Sequence, residues 1–287
     1  MSGSISNLIS ININSNTNNI LSGTTDNFVY QVSFPADKWK EINAVSVSSI
    51  TLPKSFYQIN EYNNTFILTE FTTNTTVTIP AGNYNISQFF NTVGGLLSAA
   101  STHFITYTLS FNTTSYDTGI LKITQSPAYP ASLYFGNTSL SSVFGFPRDS
   151  TNIFNGSGVL LGSQVINLNE SNTVYLNSSM VSSFFNDATS NSSNTLCVVY
   201  TGSYVNYSYI TQYFDIITNM KPFFSKNSQF SFSLVDQDNT PVNLHGVDFS
   251  FTLNIFTYTP NEGFYKKINK FINYYLTNNN DDDNDVD

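Results

Sequence analysis

The chain has 287 residues, of which 15% are aromatic and only 10% charged, with a formal net charge of −9. So rich a supply of Phe and Tyr excludes an intrinsically disordered chain and can fill at least one substantial core. Five of the acidic residues (Asp281, Asp282, Asp283, Asp285, Asp287) fall in the last seven positions, so the body carries only −4, with no basic face to meet a nucleic-acid backbone.

The polar residues are mostly Asn, Ser and Thr, which suit turns and strand faces and serve poorly inside helices. The first strand-like run is Ile5 to Ile13, where Ile9, Ile11 and Ile13 share a face. Phe28, Tyr30, Val32 and Phe34 alternate in the next, which Pro35 closes because proline cannot donate to a ladder. Ala44 to Leu52 follows, with Val45, Val47 and Ser49 expected on one face and Pro53 as the stop.

The texture changes near Asn63. Phe66 to Phe71 and Thr75 to Ile79 read as short strands joined by Thr72-Thr73-Asn74. A tight turn over Ile79-Pro80-Ala81-Gly82-Asn83-Tyr84 leads into a helix, with Ser87 expected as N-cap and Phe89, Phe90, Val93, Leu96 and Leu97 as its apolar stripe. Gly94-Gly95 inside it reads equally as a close-packing surface or an early stop. Ile105 to Phe111 and Ile120 to Thr124 form a hairpin, and Leu133 to Phe135 leads on to Val143-Phe144-Gly145-Phe146-Pro147. Residues 63–147 thus make an α+β unit of about five strands and one main helix.

Ser150 to Gly158 reads as a Gly/Ser/Asn-rich linker, after which β texture returns. The candidate strands are Gln164 to Leu168, Thr173 to Leu176, Leu196 to Tyr200, Tyr209 to Ile217, Gln229 to Val235 and Val247 to Tyr258. Asp236-Gln237-Asp238-Asn239 is a natural turn. Phe264, Ile268, Phe271, Ile272 and Tyr275, with Lys266, Lys267 and Lys270, suggest a short amphipathic helix before the acidic tail.

Chemistry-bearing patterns are absent. His103 and His245 lie in different units, each without a partner at ligand spacing, and there is no HExxH, Cys/His cluster, GxSxG elbow or phosphate-binding glycine loop. Asp236 and Asp238 lack the glycine and bidentate Glu of an EF-hand loop, so a plain hairpin turn explains them. Cys197, in an apolar run, reads as a buried structural thiol. Tyr204, Tyr207, Tyr209 and Tyr213 crowd one region, where core and subunit-contact roles outweigh ligand stacking. No catalytic residue, metal site or cofactor is expected. The N-terminus lacks the basic and apolar segments of a signal peptide, and no run approaches the ~18 apolar residues of a membrane helix.

Three stretches carry a resemblance. They are Val47 to Asn60, including Pro53, followed by Asn63-Asn64-Thr65-Phe66; the turn with Pro80, Gly82 and Tyr84 plus its helix, closing at Gly145-Phe146; and Phe232 to Val242, with Asp236 and Asp238, followed by Phe249 to Ile255. Read in order, they resemble the penton and minor capsid proteins of virophages, polinton-like viruses and giant DNA viruses. The resemblance spans most of residues 25–260 and implies a vertex protein: a single jelly roll with an insertion, assembled as a homopentamer at fivefold positions.

Strand counting agrees. About nine strands outside the unit suffice for one eight-stranded jelly roll plus an extra N-terminal strand, and fall short of a double roll. The expected fold is therefore an all-β single jelly-roll sandwich with a smaller α+β insertion domain. Residues 1–62 and 148–260 would form the roll, 63–147 the insertion, and 261–287 a short helix and acidic tail. The implied location is the virion, after synthesis in the host-cell cytoplasm. The implied partners are further copies of itself, the major capsid protein and other capsid proteins, with no nucleic acid; the Lys-bearing helix leaves open a tether to a neighbour or an inner membrane. The rival readings are a cement protein between major capsomers and a glycan- or receptor-binding spike module.

Overall fold

A computed structural model describes residues 5–16, 18–32, 42–113, 119–168, 173–181, 194–202, 206–214, 218–219 and 229–258. The expected C-terminal helix and acidic tail lie outside these residues. The first part of the chain holds β1 (Ile5–Asn14), β2 (Ile20–Gly23), β3 (Asn27–Gln31) and β4 (Ile42–Pro53). The middle holds β5 (Thr65–Glu70), β6 (Thr73–Thr78), α1 (Ile86–Ala100), β7 (Thr106–Phe111), β8 (Ile120–Ser126), β9 (Ala131–Tyr134), α2 (Leu140–Phe144), β10 (Thr151–Ile153) and β11 (Val159–Val165). The last part holds β12 (Thr173–Ser178), β13 (Thr195–Tyr200), β14 (Tyr209–Tyr213), β15 (Thr218–Asn219), β16 (Gln229–Asp236) and β17 (Ser250–Tyr258).

Two antiparallel sheets form the roll. One runs β1-β17-β4-β14 with β15 also on β4, and the other runs β13-β12-β16-β3-β2. Take β1, β3, β4, β12, β13, β14, β16 and β17 as roll strands one to eight. The first then pairs with the eighth, the second with the seventh, the third with the sixth and the fourth with the fifth. Rolling one long eight-stranded hairpin into two sheets produces this nesting, which defines the single jelly roll. The surplus strand near the N-terminus is β2, hairpinned onto the edge of β3.

Alternation of apolar residues builds the core between the sheets. Phe28 and Tyr30 on β3, Phe230, Phe232 and Leu234 on β16, and Phe251, Leu253 and Ile255 on β17 are all buried in one cluster. Phe232 meets Phe251 of the opposite sheet edge-on, with ring centroids 5.1 Å apart. Along β4 the expected face is corrected. Val45 and Val47 point inward, but the register slips by one residue between Thr252↔Ser49 and Leu253↔Val47. The resulting bulge at Ser48 reverses the phase, so Ile50 and Leu52 face the core instead of Ser49. Ser49 bonds outward to Thr252 Oγ1 at 3.1 Å.

The chain between the third and fourth roll strands folds around a second apolar cluster. Its sheets run β10-β9-β5-β6 and β11-β8-β7. α1 covers them with Phe89, Val93 and Leu97, and Phe66, Phe89 and Phe135 gather around Phe144 of α2 at 4.6–5.4 Å.

Several sequence expectations change here. The N-cap of α1 is Asn85, not Ser87: Asn85 and Gln88 exchange side-chain-to-backbone hydrogen bonds in a reciprocal capping box. The helix runs through both glycines to Ala100. A Cβ on Gly94 would lie 3.1 Å from the Tyr107 carbonyl, so close packing is its role. The β5–β6 connection is the two-residue turn Phe71-Thr72, since Glu70 pairs with Thr73. α2 is a second helix, ended by Gly145 at φ 75°. The segment read as a linker is structured, because β10 pairs with β9 and β11 with β8. Phe154 and Leu160 join the second cluster, so the inserted chain continues well beyond residue 147. Gly156-Ser157-Gly158 belongs to the β10–β11 turn; clustered glycine and serine mark turns and linkers alike.

Candidate functional site

The chain passes from one core to the other between Phe56 and Ile59, and a small cleft lies at this crossing. Tyr57, Gln58, Asn63, Ser139, Arg148 and Asp238 are among the residues lining it. Its volume of about 160 Å³ is below the ~300 Å³ at which small-molecule sites begin. A more open groove of about 690 Å³ continues along Asp26, Glu61, Tyr62 and Asn243.

Most residues of the resemblance converge on this crossing. Pro53 ends β4 opposite Tyr209. Gly82 exchanges backbone hydrogen bonds with Ile59 at 2.8 and 3.2 Å, and Asn83 accepts from the Gln58 amide N–H at 2.7 Å. The turn holding Pro80, Gly82 and Tyr84 therefore clamps the crossing segment, and is itself closed by Tyr84 OH donating to the Pro80 carbonyl at 2.6 Å. Buried Asn63 donates to the Gln58 carbonyl and to Ser139 Oγ while accepting from Asn60 N–H. The Asn64 carbonyl accepts from Ile79 N–H at 2.8 Å.

From the roll side, Asp236 Oδ1 accepts the backbone N–H groups of Asp238 and Thr240, at 2.8 Å each, which fixes the turn after β16. Burial pushes the Asp236 carboxyl above its ordinary value, and these two N–H groups pull the other way. Asp238 Oδ2 accepts from Arg148 Nη2 at 2.7 Å. Gly145 and Phe146 lie inside the insert: Phe146 stacks on Phe135 at 5.6 Å, and the Gly145 carbonyl accepts from Ser163 and Gln164 N–H. A Cβ on Gly145 would sit 2.4 Å from the Gln164 carbonyl oxygen, so only glycine fits. The arrangement is a joint: apart from the Gln58 side chain, these polar groups bond one another where insert and roll meet.

Sequence reasoning missed Glu70, which organises the far end of the insert. It is buried, and its Oε2 accepts from Thr102 N–H and Oγ1 and lies 3.3 Å from His103 Nδ1. Its Oε1 accepts from Tyr107 OH at 2.8 Å. Burial alone would raise this carboxyl, but hydrogen bonds from Ser101, Tyr107, Thr102 and His103 outweigh it and hold the group at about 2. Separations of 31 to 37 residues left no local pattern to find.

The other histidine, His245, packs on Tyr57 with ring centroids 3.9 Å apart and bonds the Ser55 carbonyl through Nδ1. Cys197 is buried, which pushes its thiol up strongly. Of the tyrosine group, Tyr204 lies outside the described residues, while Tyr207, Tyr209 and Tyr213 are exposed, together with Tyr200 at the end of β13. They are therefore not core. Gln212 ties the two sheets together beside them, exchanging hydrogen bonds with the Tyr200 backbone at 2.6 and 3.1 Å. Among the described residues no group of three His, Cys, Asp or Glu side chains could hold a metal ion, and no helix is long and apolar enough to cross a membrane.

No protein-family model and no curated protein matches the chain. Among solved structures, the mavirus penton protein aligns at 14% identity with a TM-score of 0.41, covering 88% of this chain and 99% of its own. A chain of the Sputnik virophage structure aligns at 11% identity with a TM-score of 0.38, covering 87% of this chain and 98% of its own.

Proposed function

We propose that the chain is a structural subunit of an icosahedral viral capsid, the penton protein, forming a homopentamer at the fivefold positions of the virion. The observation that carries this reading is a single jelly roll opened between its third and fourth strands by an insert with its own core. The residues resembling penton and minor capsid proteins are concentrated where the insert joins the roll. The roll supplies a rigid wedge, and function resides in its shape and its contacts. A ring of five identical head-to-tail contacts closes when each rotates the next by about 72°.

The subunit contact is assigned to the edge where β13 and β14 end the two sheets. Tyr200, Tyr207, Tyr209 and Tyr213 stand exposed there, Tyr213 at 81%, and tyrosine supplies large contact area at low entropic cost. The other sides of the wedge meet the major capsid protein and other capsid proteins, and the protein is made in the host-cell cytoplasm. Native mass spectrometry of the purified chain tests the assignment. Pentamers that fall to monomers in Tyr209→Ser/Tyr213→Ser support it, and monomers alone at micromolar concentration, or virion density away from the fivefold axes, would reject it.

A further inference from the structure

The end of the insert farthest from the roll presents an aromatic surface that the capsid reading does not use. β5 starts beside the crossing and carries the chain roughly 20 Å away from it. The β5–β6, α1–β7 and β8–β9 connections therefore meet at the distal end. There Phe71, His103 and Tyr129 pack around one another with ring centroids 5.0, 5.5 and 5.9 Å apart. Phe71 is 50% exposed and Phe104, which follows His103 in the chain, is 93% exposed.

Two observations mark this surface as built. First, Phe71 and Phe104 both have left-handed backbone, at φ 52° and 59°, which bulky residues adopt only against strain. At Phe71 the left-handed backbone also closes the two-residue β5–β6 turn, whereas at Phe104 it carries a ring left 93% exposed, from which folding gains little. Second, a buried polar network fixes the loops from below. Glu70 holds Thr102, His103 and Tyr107, Gln125 Nε2 donates to Tyr107 OH, and Gln125 Oε1 accepts from Tyr129 N–H. Phe71 N–H donates to the Pro130 carbonyl. The rings of Phe71, His103 and Tyr129 are thus held in place before any ligand arrives.

The surroundings define the ligand. Residues 70–74, 101–105, 126–131 and 154–158, which make up this end, contain no Asp, Lys or Arg, and Glu70 is their only Glu. That one carboxylate is buried and fully engaged. Exposed Thr72, Thr73, Asn74, Thr102 and Ser126 supply neutral hydroxyl and amide groups around the rings. Such a surface has no Lys or Arg to pair with a sialylated, sulfated or phosphorylated group, and its one imidazole, His103, already faces the Glu70 carboxylate at 3.3 Å. It offers aromatic faces for the polarised C–H groups of a sugar ring and neutral partners for its hydroxyls. The platform is a few rings wide, far short of the ~800 Å² per partner of a stable protein interface.

We propose that the distal end of the insert is a binding site for neutral glycans, with Phe71, Phe104 and Tyr129 as its stacking residues. The site stands apart from the assembly role, since pentamer formation is read by mass and glycan binding by occupancy.

The test is an array of neutral glycans ending in glucose, galactose, mannose or N-acetylglucosamine, beside sialylated and sulfated ones, probed with the full chain. The decisive variant is Phe104→Asn, because asparagine tolerates left-handed backbone and removes the ring without strain. Binding confined to neutral glycans, roughly tenfold or more weaker in Phe104→Asn with a thermal midpoint unchanged or raised, supports the proposal. Absence of neutral-glycan binding, binding of acidic glycans only, or full binding by both Phe104→Asn and Tyr129→Ala overturns it. Retention on host-surface protein after enzymatic deglycosylation would instead give the patch a protein partner, and equally overturn it.

Discussion

Arg148, just after α2, donates from Nη2 to Asp238 Oδ2 at 2.7 Å, joining the insert to the turn after β16 across 90 residues of chain. The two side chains are 38% and 28% exposed, so solvent screens the pair and its contribution is under about 1 kcal/mol. Asp238→Asn keeps the backbone N–H that the Asp236 carboxylate holds, and removes only the charge. The expected loss of stability is a few tenths of a kcal/mol at low salt and vanishes near 1 M salt. Denaturant melts at the two salt concentrations decide it. A loss of several kcal/mol would mean that Asp238 does more than hold Arg148.

Glu70 predicts an acid-sensitive insert. Its folded value of about 2 lies below the ordinary 4.5. A depressed carboxyl stabilises the fold fully above its unfolded value, and loses that contribution as pH falls from about 4.5 towards 2. The shift corresponds to at most roughly 3 kcal/mol. Glu70→Gln keeps the shape, loses the charge-assisted bonds, and should melt lower at pH 7 by most of that amount. Between pH 4.5 and 2 the wild type should converge on the variant. Parallel curves over that range would show that Glu70 does not carry the acid response.

How much of this was legible in the sequence depends on the range of each interaction. The roll strands were visible because two-residue alternation is local: Phe230, Phe232 and Leu234 all point into the core as their spacing requires. The α1 stripe was visible for the same reason at helical spacing. The bulge at Ser48 was not, because β17, more than 200 residues away in the chain, creates the register slip. The β10 and β11 strands were hidden by their own turn, whose glycines look like a linker. At the junction, the turn chemistry of Asp236 could be read from Asp-x-Asp-Asn, whereas its meeting with Arg148 could not. Glu70 was the largest omission: a lone acid at a strand end gives no sign of partners on a distant loop.

Gln58 sits where the chain leaves one core for the other. It is buried, and among the described residues neither its Oε1 nor its Nε2 has a hydrogen-bond partner. Its backbone is fully used, with the N–H on Asn83 Oδ1 and the carbonyl on Asn63 Nδ2. Leaving buried polar atoms unpaired costs about 1–3 kcal/mol, and replacing them with an apolar group of similar shape removes that cost. Gln58→Met should therefore be neutral or raise stability by about 1 kcal/mol, measured by urea unfolding. Destabilisation by more than 1 kcal/mol would show that the amide is satisfied in solution.

The two apolar clusters imply two cooperative units, and matched cavities separate them. Phe232 belongs to the cluster between the roll sheets and Phe144 to the cluster under α1, and both are fully buried. Each Phe→Ala change should cost about 3–5 kcal/mol within its own core. Among the described residues the hydrogen-bonded ties at the junction centre on the clamp at Gln58 and the exposed Arg148–Asp238 pair, so strain in one core has little means of reaching the other. Calorimetry should then show two transitions, with Phe144→Ala lowering one and Phe232→Ala lowering the other. Because the insert is threaded into the roll by both its ends, unfolding the roll need not unravel the insert, whose own ladders close between β5 and β11. A single transition, lowered equally by both variants, would require one continuous core and would reject the division into roll and insert.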